Sequence, residues 1–158
     1  MRDPHSIALH LAQWARDERD AQLASLDLLE EQERAVRVRD LDAVEAMGEQ
    51  LRIQGARGAT RARRRDQLLG ELAAIWGVPR TALSLVSVAE RLGKDDAGLA
   101  ELRVELRHVA ARVLRTSRRV AVLVNAFRRV SREVVEMLLT DEDGTPLHQG
   151  GGLVNEEV

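Results

Sequence analysis

Apolar residues return at steps of three and four along most of this chain, the period of an amphipathic helix rather than of a strand. Ile7, Leu11, Trp14, Ala21 and Leu28, with Leu26 and Leu29 beside them, predict a first helix over about residues 4–38. Asp3 is placed to cap it, and Pro4 fits the first turn, where its missing N–H costs nothing. Asp40 is a second capping residue, and Asp42 adds negative charge to the first turn of the helix it opens. A tight turn at this point predicts an antiparallel hairpin, with the second helix over about 41–76. Its stripe reads Leu41, Val44, Gly48, Leu51, Gly55, Gly58, Ala62, Arg65, Leu69, Leu72 and Trp76. A glycine inside a helix costs about 1 kcal/mol against alanine, so three on one stripe imply either close approach of a neighbouring helix, the favoured reading, or local fraying of the helix.

Gly77 and Pro79 break the rhythm, Thr81 is placed to cap a short helix over about 82–92, and Gly93 stops it. Asp95 or Asp96 then opens the last helix, about 97–139. Its seam alternates steps of three and four without a slip: Leu99, Leu102, Leu106, Val109, Val113, Thr116, Val120, Leu123, Phe127, Val130, Val134 and Met137. The fold class is therefore all-α. We expect a hairpin plus a long third helix, a coiled-coil-like three-helix bundle over residues 1–139. The acidic, glycine-rich residues 140–158 should form a flexible tail.

The last helix carries more apolar surface than one seam needs. Ala121, Val124, Val135 and Leu138 flank the seam, and Val122 and Leu139 extend the apolar arc further. Packing of the first two helices on this arc would use part of it. The last helix, at roughly 63 Å, is however longer than the second, at roughly 54 Å, so its end should overshoot the hairpin. An exposed apolar end of that size is a partner surface. The candidate partner-binding residues are Val120, Leu123, Val124, Phe127, Val130, Val134, Val135, Leu138 and Leu139.

Composition narrows the chemistry. Trp14, Trp76 and Phe127 are the only aromatics, and there is no cysteine, hence no disulfide, thiolate zinc site or cysteine nucleophile. His5 and His10 are five apart, on different helical faces, and no nucleophile–histidine–acid pattern or phosphate-cradling glycine loop is present with His108 or His148. No enzyme, cofactor or metal site is expected. A net charge of −2 and the scarcity of lysine argue against nucleic acid as the partner. The arginines of residues 57–65 are expected to pair with the acidic stretch around Asp17 and Asp20. A second group, Arg107, Arg112, Arg115, Arg118, Arg119, Arg128, Arg129 and Arg132, lies on the last helix. No apolar run approaches the ~20 residues of a membrane span, and no secretory leader is visible, so a cytoplasmic location is expected.

The order of these signals resembles a known family. "LLEEQERAVRVRD" closes the first helix, "DLDAVEAM" opens the second, and "ARRRDQLLGELAAIWGV" ends it. "PRTALSLVSVAERL" and a long last helix with an acidic, glycine-containing tail follow. Over nearly the whole chain this resembles the FlgN-type flagellar export chaperones. It departs at Ser117 and Val120, where such proteins carry asparagines. The resemblance implies a cytosolic chaperone that binds hook–filament junction proteins through its C-terminal helix and tail. It would prevent their premature assembly and deliver them to the flagellar type III export apparatus. The alternatives are a structural coiled coil that self-associates weakly through the same arc, and a helical anion- or nucleic-acid-binding protein using the arginines of the last helix.

Overall fold

The computed structural model describes residues 3–93 and 97–140, and these are all-α. Helix α1 spans Pro4–Arg37, α2 Leu41–Trp76, α3 Leu85–Leu92 and α4 Leu99–Leu138, with a 3₁₀ turn at Arg80–Ala82 before α3. Asp3 occupies the N-cap position of α1, but its side chain makes no capping hydrogen bond. Asp40 does cap α2, its carboxylate accepting from the Ala43 N–H at 3.0 Å. Arg39 takes up the reversal between them with φ of 60°, a left-handed conformation rare outside glycine.

The short helix begins later than its sequence suggests. Thr81 falls inside the 3₁₀ turn, and Ser84 is the cap. Its hydroxyl accepts from the Ser87 N–H at 3.2 Å, while its own N–H donates to the Ser87 hydroxyl at 2.8 Å. That reciprocal pair satisfies two helix-end donors, which Thr81 would not do from its position. Helix α4 starts at Leu99 after Gly98 in a left-handed conformation. The capping role expected of Asp95 or Asp96 and the tail expected over residues 141–158 lie outside the described residues.

α1 is the central helix. It packs along both α2 and α4, while the backbones of α2 and α4 do not run in contact. α1 and α2 are antiparallel: Trp14 donates from its ring N–H to the Arg61 carbonyl at 2.8 Å, and Gln32 donates to the Val44 carbonyl at 2.9 Å. α4 runs parallel to α1, because Arg19 meets Glu105 and Arg119 meets Glu33, each pair 86 residues apart. Both helices of the hairpin meet the last helix, but unequally: α1 lies along it, whereas α2 reaches it through side chains, Leu68, Leu72 and Val44 in the buried groups shared with α4 and Glu45 in its ion pair with Arg128 at 2.7 Å.

The buried side chains form two groups rather than one continuous core. One gathers the start of α1, the end of α2, α3 and the start of α4, around Ile7, Leu11, Leu68, Leu72, Val88 and Leu99. The other lies toward the hairpin turn, around Leu29, Ala35, Val44, Val120 and Val124. Between them α1 contributes Glu18, Gln22 and Ser25. Glu18 pairs with Arg61 at 2.6 Å. The arginine-rich part of α2 thus lies beside the acidic part of α1, with Glu18 rather than Asp17 or Asp20 as its partner there. Arg65 instead stacks over the Trp14 ring, 5.8 Å from its centroid.

The glycine stripe of α2 does not mark close helix approach. α2 is unbroken from Leu41 to Trp76, and a Cβ on Gly55 would meet nothing within 4 Å. One on Gly58 would meet only Arg61 of the same helix. Gly48 alone faces a neighbour, because a Cβ there would lie 3.3 Å from the side-chain nitrogen of Gln32.

Candidate functional site

The offset of 86 residues between α1 and α4 determines where α4 loses its neighbour. It sets Arg37, the last residue of α1, level with Leu123, so about 15 residues of α4 continue past that end. At about 1.5 Å per residue this is an extension of roughly 22 Å. The turn at Val38 and Arg39 and the start of α2 flank only its beginning.

Exposure along α4 follows this geometry. Val120 and Val124 are 1% and 7% exposed, sealed against the hairpin side chains Leu29, Ala35 and Val44. Of the nine candidate residues, these two belong to the core and present no surface. Leu123 and Phe127 are half-buried at the edge of the hairpin. Val130, Val134, Val135, Leu138 and Leu139 are exposed, Leu138 at 73%. The strict heptad seam also fails here. Thr116, Val120 and Val124 are buried in consecutive steps of four, leaving Leu123 only partly covered. A straight helix of 3.6 residues per turn drifts about 20° per heptad, and over three heptads that carries the inward direction from Leu123 toward Val124.

The exposed end is grooved. Leu123, Ala126, Phe127, Val130, Ser131 and Val134 of α4 face Val36, Arg39 and Leu41 of the hairpin across an open depression of about 580 Å³. Val36, Arg39 and Leu41 were not expected at such a site. The available signal was the pair Val38 and Leu41, two apolar residues at a turn, where polar ones are usual. Both are exposed.

Below the groove the α1–α4 contact is pinned by Glu33. Its carboxylate accepts from Arg119 at 2.7 Å and from Arg37 at 2.6 Å. The Arg119 hydrogen bond chiefly holds this carboxyl below its ordinary value; burial pushes the other way and Arg37 adds to the lowering. On the flank, Arg128 is held by Glu45, and Arg129 lies 4.0 Å from Glu133. The groove is thus apolar along its length with charges at its rim, the arrangement that suits the apolar face of an amphipathic helix.

Among the described residues no group of three or more histidine, cysteine, aspartate or glutamate side chains could hold a metal ion. His5, His10 and His108 are exposed and dispersed, and His148 lies outside the described residues. Among the described residues no helix is long and apolar enough to cross a membrane. Comparison of the chain with protein-family profiles, curated proteins and solved structures returned no match.

Proposed function

We propose that this protein is a helix-binding chaperone of the FlgN type, with the overhanging end of α4 and its groove as the cargo site. The observation that carries the reading is the run of exposed Val130, Val134, Val135, Leu138 and Leu139 beyond the hairpin. Burying an aliphatic side chain of this size is worth about 1.5–3 kcal/mol, so a cargo helix covering several of them offsets the cost of association. On this reading α1, α2 and α4 act as a coiled-coil-like three-helix body that presents the end of α4.

The cargo would be an amphipathic terminal helix of a hook–filament junction protein, kept from pairing prematurely in the cytoplasm and passed to the flagellar type III export apparatus. Chaperone action of this kind needs no catalytic group, cofactor or metal. The test is a titration of purified junction proteins into the full chain, read by calorimetry. Saturable one-to-one binding supports the proposal. Absence of binding to every such protein rejects it, and concentration-dependent self-association without cargo binding would favour a scaffolding coiled coil.

A further inference from the structure

The groove is apolar along its length, yet its two ends differ. Among the described residues that line it, Arg39 alone is charged, and it stands at the hairpin end. Other charges nearby are engaged: Arg37 with Glu33, Glu45 with Arg128, and the Asp40 carboxylate with the Ala43 N–H. Arg39 is exposed and joins none of the ion pairs among the described residues. Its backbone is also costly. A side chain at φ of 60° crowds its own carbonyl, which glycine would avoid while making the same reversal. Such positions cluster where a ligand is clamped. A cation held at the groove mouth calls for a negative group on whatever fills the groove.

A helix supplies negative charge at its C-terminal end, where the last carbonyls are unpaired and sum to about half an elementary charge. The far end of the groove suits the opposite terminus. The last turn of α4 holds no basic residue. Glu133 lies one helical turn from Val130 and is met, among the described residues, only by Arg129 at 4.0 Å. A positive helix N-terminus is favoured there, and the dipoles of the two helices then oppose each other. Length fits as well. By the 86-residue offset Arg39 is level with Asn125, which leaves about 13 residues, roughly 20 Å, to the end of α4 at Leu138. Four turns of an amphipathic helix span that distance with one apolar stripe inward.

We propose that the cargo helix lies antiparallel to α4, with its C-terminal turn and the carboxylates it carries against Arg39 and its N-terminal turn beside Glu133. Arg39 is then the residue that sets the direction of the cargo. This inference rests on the chaperone reading, which by itself fixes neither the direction nor a charged contact.

The chain has no cysteine, so Val38→Cys or Thr140→Cys, both at exposed positions, places a single nitroxide at one end of the groove in the full chain. The probe is a junction protein that binds in the calorimetric titration, isotopically labelled for magnetic resonance. The label at position 38 should broaden signals from the last turn of the bound helix, and the label at 140 those from its first turn. The reverse pattern, or equal broadening of both ends by one label, overturns the proposal. Arg39→Glu should weaken binding about tenfold or more. Arg39→Gly should also weaken it while raising the melting temperature, because glycine relieves the backbone. Binding by Arg39→Glu equal to that of the unmodified chain overturns the proposal and leaves the chaperone reading standing. Binding of no junction protein by the unmodified chain removes both. Sedimentation that shows a dimer dissociated by Arg39→Glu assigns Arg39 to a second copy, which overturns the proposal as well.

Discussion

Glu33 of α1 and Arg119 of α4 are 86 residues apart in sequence and 2.7 Å apart in space. The pair repeats the offset of Arg19 and Glu105, and together the two contacts fix the parallel register of α1 and α4. That register decides how much of α4 stands clear of the hairpin. A carboxylate with 10% of its side chain exposed, meeting two arginines, is an unfavourable partner for any shifted alignment, which would leave it buried and uncompensated.

The same pair makes stability pH-dependent. The Glu33 carboxyl is held below its ordinary 4.5 in the folded chain, so its contribution is fully present above that value. It is lost as pH falls through the lower folded value, because the unfolded chain binds the proton more readily. Asp66, lowered by Arg80 and then Arg65, acts in the same direction. Denaturant melts between about pH 5 and pH 3 should show falling stability, with a shallower fall in Glu33→Gln. Equal slopes in the two proteins would remove Glu33 from the account.

Gly55 and Gly48 should respond differently to alanine. Gly55→Ala fills open space on an exposed helix and should stabilise by about 1 kcal/mol, read as a higher melting temperature. Gly48→Ala brings a Cβ to 3.3 Å from the Gln32 side chain, which already donates to the Val44 carbonyl. Its gain should be smaller than that of Gly55→Ala or absent. An equal gain at both sites would show that Gln32 moves aside without cost.

Val124 and Leu138 are both aliphatic residues on the apolar arc of α4, yet aspartate should affect them oppositely. Val124→Asp places a charge in the core beside Val44 and should destabilise by about 3 kcal/mol or more. Leu138→Asp alters an exposed position and should shift stability by about 0.5 kcal/mol or less. Thermal melts of the two single variants decide this without any ligand.

If the end of α4 is the cargo site, Val135→Asp with Leu138→Asp should weaken binding of a junction protein by about 2 kcal/mol or more, roughly thirtyfold. The melting curve should stay near that of the unmodified chain. Loss of fold together with binding would assign both residues to the core, and unchanged affinity would move the site elsewhere.

Much of the fold follows from the sequence alone. The 3.6-residue rhythm, Asp40 as a cap and Gly77 at a left-handed helix end are local matters, decided within a turn or two of backbone, and each is found where the residues indicate it. The excess apolar surface on α4 is equally local, since it needs only a count of side chains around one helix. What periodicity could not assign was the partner of each face. Val120 and Val124 read from the sequence like Val134 and Leu138. They differ because α1 and the turn at Arg39 end near Leu123, a level that belongs to the register between α1 and α4, marked by the pairs Glu33–Arg119 and Arg19–Glu105, and not to the periodicity of α4 alone. The glycine stripe failed as a packing signal for the same reason. A stripe shows what a helix can approach, whereas only the arrangement of α2 and α4 around α1 determines that nothing approaches Gly55. The groove formed with Val36, Arg39 and Leu41 is likewise tertiary, because it joins residues more than 80 positions apart that share no periodicity. Local hydrogen bonding and side-chain pattern thus determined the helices, and the register between distant helices determined which of their apolar faces remain open.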